Sequence, residues 1–177
     1  MNTQNTRTGT LTIVDDANAI NVPVGFAPSY IKVVNTTDAR FFEFFAGMTA
    51  AYAFQAENHA DTQFSVITSN GITPYAGRAI GASISGTAAV TADSTAVTGT
   101  NTNFVGELAV GDLITINGES RKVASITSAT ALVADEAYDA TAAGADIYDM
   151  TGKSAGFTLG TDITDDDADV LYWVAVR

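Results

Sequence analysis

Asp112-Leu113-Ile114-Thr115-Ile116-Asn117-Gly118-Glu119-Ser120-Arg121-Lys122-Val123-Ala124-Ser125-Ile126-Thr127 decides the fold class. Two runs of strand length flank an Asn-Gly pair. That pair suits a tight hairpin, because both central positions of such a turn need positive φ. Strands are therefore expected over 112–117 and 121–127. Outward from this stretch the same pattern recurs: apolar residues alternate with period two, threonine is abundant, and turns carry Gly, Asn and Asp. Only 3 prolines occur, and no long helical stripe interrupts the pattern. Further strands are expected over 10–14, 20–24, 29–35, 40–46, 51–55, 63–68 and 77–84. A later set covers 88–91, 96–98, 131–134, 145–150, 156–159 and 170–176. Asn70-Gly71 reads as another hairpin turn, 15–18 as a turn, and 104–108 as a short helical turn. The expected class is all-β, an antiparallel β-sandwich of jelly-roll-like form.

Composition divides the chain. Of its 9 Phe, seven precede residue 65, whereas 83–147 is poor in aromatics and rich in Ala, Thr, Val and Ser. This middle segment is bounded by small residues. It reads as a small β-barrel or sandwich domain, residues 83–151, inserted near the C-terminal third of a discontinuous outer sandwich, 10–82 plus 152–177. Insertions survive where the flanking chain ends stay close. Residues 1–9 are polar and read as a flexible N-terminal arm, or one that orders on a neighbouring subunit.

Net charge is −12, with 8 Lys and Arg against 20 Asp and Glu. A nucleic-acid binder needs a basic stripe to displace counterions, so that class is disfavoured. The absence of cysteine removes disulfides, thiolate metal sites and cysteine nucleophiles. One histidine, His59, in a polar connection, leaves little for a histidine-relay enzyme. No apolar leader precedes residue 10 and no run approaches the ~20 apolar residues of a membrane span. A soluble, non-enzymatic protein without cofactor is expected.

Arg40-Phe41-Phe42-Glu43-Phe44-Phe45 is aromatic on both faces of a strand: Phe42 and Phe44 point one way, Phe41 and Phe45 the other. One face fills a core. The other needs a cover, either the chain 48–54 folded back or another subunit. The interface candidates are therefore Phe41, Phe42, Phe44, Phe45, Tyr52 and Phe54.

Several motifs fail on inspection. Gly152-Lys153-Ser154 lacks the earlier glycine of a phosphate loop, Ile147 standing there. Ser83 and Ser85, between Gly81 and Gly86, lack nucleophile-elbow spacing. Asn35-Thr36-Thr37 fits a glycosylation acceptor but has no export signal beside it. Asp165, Asp167 and Asp169 alternate like the start of a calcium loop, without the later Gly and Glu. A solvated loop is the favoured reading there, and an irregular calcium site the lesser one; no other metal is expected.

Two stretches carry a resemblance. Gly86-Thr-Ala-Ala-Val-Thr91, Ser94-Thr-Ala-Val-Thr-Gly-Thr-Asn-Thr-Asn-Phe104, Leu108-Ala-Val-Gly-Asp-Leu-Ile-Thr-Ile-Asn-Gly118 and Lys122-Val-Ala-Ser-Ile-Thr-Ser-Ala-Thr-Ala-Leu132 follow one another. The segment 84–148 resembles a small β module that recurs in structural proteins of tailed bacteriophages. The outer part is similar to phage virion proteins in Gly25-Phe-Ala-Pro-Ser-Tyr-Ile-Lys-Val-Val-Asn35, Asn70-Gly-Ile-Thr73, Gly156-Phe-Thr-Leu-Gly160 and Val170-Leu-Tyr-Trp-Val-Ala-Val-Arg177. In similar proteins the second and third of these lie close together; here 74–155 separate them, as an insertion would.

The resemblance brings no catalytic residues. It implies a virion structural protein, foremost a capsid decoration (cement) protein. The alternatives are a tail fibre or receptor-binding component recognising a host-surface glycan, with Trp173 or Tyr75 as platforms, and a tail-tube or connector subunit. Expected partners are further copies of itself as a homotrimer and the major capsid protein, with no nucleic acid and no membrane. The expected location is the virion, assembled in the host cytoplasm. Half of the acidic residues lie from Asp135 onward, opposed there only by Lys153 and Arg177, so that part is expected to face solvent.

Overall fold

The fold was obtained as a computed structural model, which describes residues 5–15, 18–57 and 63–177. His59, residues 1–4 and positions 16 and 17 of the first turn lie outside the described residues. The Asn117-Gly118 pair joins β10 (Leu113–Ile116) to β11 (Glu119–Ser128), with Ile116 opposite Glu119. Both turn residues have positive φ, 52° and 82°, as a two-residue hairpin turn demands.

The remaining elements are nearly all strands. Before this hairpin come β1 (Thr6–Thr12), β2 (Ile20–Pro23), β3 (Tyr30–Asn35), β4 (Arg40–Phe45), β5 (Tyr52–Glu57), β6 (Gln63–Tyr75), β7 (Ala82–Ser83), β8 (Thr87–Val90) and β9 (Ala96–Thr100). After it come β12 (Ala131–Ala134), β13 (Ala142–Ala145), β14 (Ile147–Asp149), β15 (Gly156–Leu159) and β16 (Val170–Val176). One helical turn, α1 (Phe104–Glu107), is capped by the Asn103 side chain, which accepts from the Gly106 N–H at 3.0 Å.

The chain forms two compact units, Met1–Ala76 with Ser154–Arg177, and Gly77–Lys153. Each holds one eight-stranded antiparallel sheet and its own core. The class is all-β and sandwich-like. Ala82 and Ser83 pair with Asp149 and Tyr148, so the second unit's sheet begins before residue 83.

In the first unit the order is β1-β16-β3-β4-β5-β6-β15-β2. Phe157 on β15 meets Trp173 on β16 edge to face, ring centroids 5.6 Å apart. Those strands stand near opposite ends of the sheet, so the sheet curls and its halves face each other across one core. Ile31, Val33, Phe42, Ile72, Phe157, Leu159 and Leu171 are fully buried there.

Two expectations are corrected in this unit. The polar arm 1–9 is a strand from Thr6 onward, paired without interruption to β16. Asn70-Gly71 makes no hairpin. It kinks the long strand β6, whose first half pairs with β5 and second half with β15. Asn70 takes φ +52°, and a Cβ on Gly71 would stand 2.9 Å from the Ala51 carbonyl. In the second unit, the strand expected at 77–84 shrinks to β7.

In the second unit the order is β13-β8-β9-β12-β11-β10-β14-β7. The Thr98-Gly99-Thr100-Asn101-Thr102-Asn103-Phe104 motif is a structural device. Gly99 leaves room for Thr102, whose Oγ1 would stand 2.0 Å from an added Cβ and instead donates to the Ala129 carbonyl at 2.8 Å. Asn101 takes φ +55°, Asn103 caps α1, and Phe104 is wholly buried. In Val110-Gly111-Asp112, Gly111 has φ +93° and Asp112 accepts from the Ala109 N–H at 2.7 Å.

Candidate functional site

Alternation places Phe42 and Phe44 in the first unit's core, at 0% and 3% exposure. Both drop out as interface candidates. Phe41 and Phe45 face outward beside Phe54, Phe64 and Val66 of the next two strands. Phe54 stacks on Phe64 at 5.8 Å; Phe45, Phe64 and Val66 are 51%, 65% and 51% exposed. The chain 48–54 does not cover this face. Met48 packs against the core, and Phe54 belongs to the face itself. Tyr52 is half-buried where the β5–β6 register shifts.

One polar group interrupts the aromatic face. Lys32 Nζ lies 4.4 Å above the Phe41 ring and 3.0 Å from Glu43, which also accepts from Tyr30 at 2.9 Å. Burial opposes ionisation of Glu43, but its hydrogen bonds from Lys32 and Tyr30 outweigh that and hold the carboxyl below its ordinary range. Nearby, a depression of about 380 Å³ is lined by Thr8, Thr10, Lys32, Val34, Tyr172 and Val174. Trp173 is half-buried, packs against the core and also lines this depression; Tyr75 is half-buried.

An acidic group forms where the β3–β4 turn meets the chain before β16. Carboxylates of Asp38, Asp165, Asp166 and Asp169 lie within 4.8 Å of one another. Two of the three aspartates named from sequence are in this set. Asp167 is not, and Asp38 and Asp166 join instead. Arg40 holds a place in the group, donating to both Asp165 oxygens at 2.9 and 2.8 Å and to Asp38 at 2.8 Å. The hydrogen bond from Arg40 depresses the Asp38 pKa, while slight desolvation and then the neighbouring carboxylates raise that of exposed Asp166. Oxygen donors of this kind suit a hard cation, and here a guanidinium supplies positive charge.

Asn35 organises this turn. It is fully buried; its Oδ1 accepts from the N–H of Thr37 and Asp38, and its Nδ2 donates to Asp38 and, at 2.6 Å, to Asp169. This side chain is inaccessible to glycosylation in the folded protein.

The ends of the second unit are tied together. Arg78 and Lys153 exchange backbone hydrogen bonds of 2.9 and 2.8 Å. The Arg78 guanidinium donates to Asp149 and Glu107, and Lys153 contacts Asp112. Gly152-Lys153-Ser154 thus serves a structural ion pair. Ser85 hydrogen-bonds Glu107 through both its N–H and its hydroxyl.

Asp149 is fully buried. Burial works against its ionisation, but Arg78 and the N–H groups of Thr151 and Gly152 overcome it and hold its pKa below the ordinary 3.8. Its contribution to stability is complete above that ordinary value and is lost as pH falls through the lower folded value. Urea midpoints are expected to fall more steeply for the wild type than for Asp149→Asn between about pH 5 and pH 2. Parallel pH profiles would count against this.

Among the described residues no helix is long and apolar enough to cross a membrane. No known family model, curated protein or solved structure matches the chain.

Proposed function

We propose that the chain is a non-enzymatic structural protein of a tailed-phage virion, a capsid decoration protein that docks through the outward aromatic face of β4, β5 and β6. The carrying observation is that face. Phe45, Phe64 and Val66 are exposed on one face of β4 to β6, on either side of Phe54, on a chain of net charge −12. Clustered exposed apolar side chains mark an interaction surface, and among the described residues these three stay more than half exposed. The resemblance of 84–148 to a phage module supports the same reading. An acidic surface elsewhere keeps crowded copies apart. Grouping in threes suits the threefold positions of a capsid lattice, since closed cyclic symmetry is the rule for homo-oligomers.

Immunogold labelling of virions from the phage encoding this chain tests the proposal. Label is expected on the head, at a copy number that scales with the capsid lattice. The Phe45→Ser/Phe64→Ser variant is expected to lower head occupancy at least about tenfold, while losing no more than about 1.5 kcal/mol of fold stability from the Phe54 stack. Label confined to the tail, or unchanged occupancy of the variant, would overturn it.

A further inference from the structure

The two sheets have four edge strands among the described residues, and three are blunted. β2 is four residues long and ends in Pro23; β7 has two residues; β13 has four, with a register shift and Gly144 at φ +66°. Short strands, prolines and bulges are how sheets avoid pairing with other chains. β1 has none of these protections. It runs seven residues in unbroken register, without Pro or Lys, and is largely exposed.

Its hydrogen-bonding parity follows from the ends. The Arg177 N–H donates to the Asn5 carbonyl and the Ile13 N–H to the Asp169 carbonyl, both between directly opposed residues. Odd positions therefore bond to β16. The N–H and C=O groups of Thr6, Thr8, Thr10 and Thr12 point away from the sheet.

We propose that β1 is a strand-addition site for β1 of a second copy, paired antiparallel about a two-fold axis at Gly9. The strand reads Thr-Arg-Thr-Gly-Thr-Leu-Thr, with threonines placed symmetrically about Gly9. Antiparallel pairing centred there sets Thr6 against Thr12 and Thr8 against Thr10 of the other copy. Each opposed pair exchanges two backbone bonds, and Thr–Thr cross-strand pairs are favourable. The single charge, Arg7, falls opposite Leu11, so no like charges meet across the seam. At the centre Gly9 brings no side chain into the closest pair. Its own space is taken by Trp173, whose ring atoms would lie 2.4 Å from a Cβ, and that ring braces the strand from its own sheet. An acidic or unrelated partner strand would gain nothing from this symmetry.

The contact uses a different surface from the aromatic face and stands without the decoration proposal. The absence of native cysteine allows a register-specific test. Full-length Thr8→Cys and Thr10→Cys chains are oxidised mildly, alone and mixed, with Phe45→Ser/Phe64→Ser added to both chains in a parallel set. A disulfide-linked dimer is expected in the mixture at least tenfold above either chain alone, in both sets. Thr8→Pro added to the Thr10→Cys chain removes an outward N–H that β16 does not use, and is expected to abolish the cross-link. Equal cross-linking in all samples, or none at millimolar protein, overturns the proposal. Sensitivity to the aromatic substitutions alone would assign the association to the other face and overturn it as well.

Discussion

Arg78→Ala is expected to destabilise the second unit by about 3–5 kcal/mol, because it leaves a buried carboxylate without its cation. The Arg78 side chain is 10% exposed and that of Asp149 is 0% exposed. Nε and Nη2 of Arg78 reach the same Asp149 oxygen at 3.1 and 2.8 Å. The other Asp149 oxygen receives Thr151 and Gly152 N–H groups, which hold the carboxylate in place when Arg78 is removed. The charge cannot swing to solvent and must be neutralised by protonation or carried at a cost. Hydrogen exchange and urea denaturation check this. The one tryptophan, Trp173, belongs to the first unit, so its fluorescence reports that unit. Amide protection of β10, β11 and β14 is expected to collapse at lower urea than in wild type. A loss under about 1 kcal/mol would show that the ion pair contributes no more than an exposed one.

Phe157→Ala is expected to cost the first unit about 3–5 kcal/mol, the range for removing a buried Phe. The ring is fully buried and lies against Trp173. It sits on β15, which joins β6 to β2 through pairs on both sides. The backbone on either side is held close. A Cβ at Gly156 would approach the Val22 carbonyl to 2.0 Å, and one at Gly160 the Asn70 carbonyl to 2.1 Å. The strand thus has little freedom to shift and fill the void. Trp173 loses its edge-to-face partner, so the native emission is expected to move red together with a lower urea midpoint. Leu at 157 is expected to recover part of the loss by filling volume. Equal stability of the Ala and wild-type proteins would remove Phe157 from the core's main supports.

Hairpin, strand and kink show what local sequence could carry. Asn117-Gly118 and Asn70-Gly71 are the same dipeptide, and both Asn residues take positive φ. Only the first turns the chain back. Its neighbours on each side pair with each other, whereas those of Asn70-Gly71 find separate partners in β5 and β15. Similarly, a polar stretch such as 5–9 has no hydrophobic pattern to announce a strand. It becomes one because β16 offers an unpaired edge. The acidic group was half legible. Asp165 and Asp169 stand in the visible run, but Asp38 comes from a distant turn and carries no local signal.

The sequence by itself determined the all-β class, the hairpin at 117–118 and the alternation that divides Phe42 and Phe44 from Phe41 and Phe45. These depend on φ preferences and on a side-chain period of two, both properties of neighbouring residues. Tertiary structure alone decided which face of that strand became core, that β1 stands at the end of a sheet beside β16, and that Arg78 meets Asp149. Those outcomes depend on which distant segments supply hydrogen-bond partners and countercharge, and burial makes each such pairing costly to leave unmade.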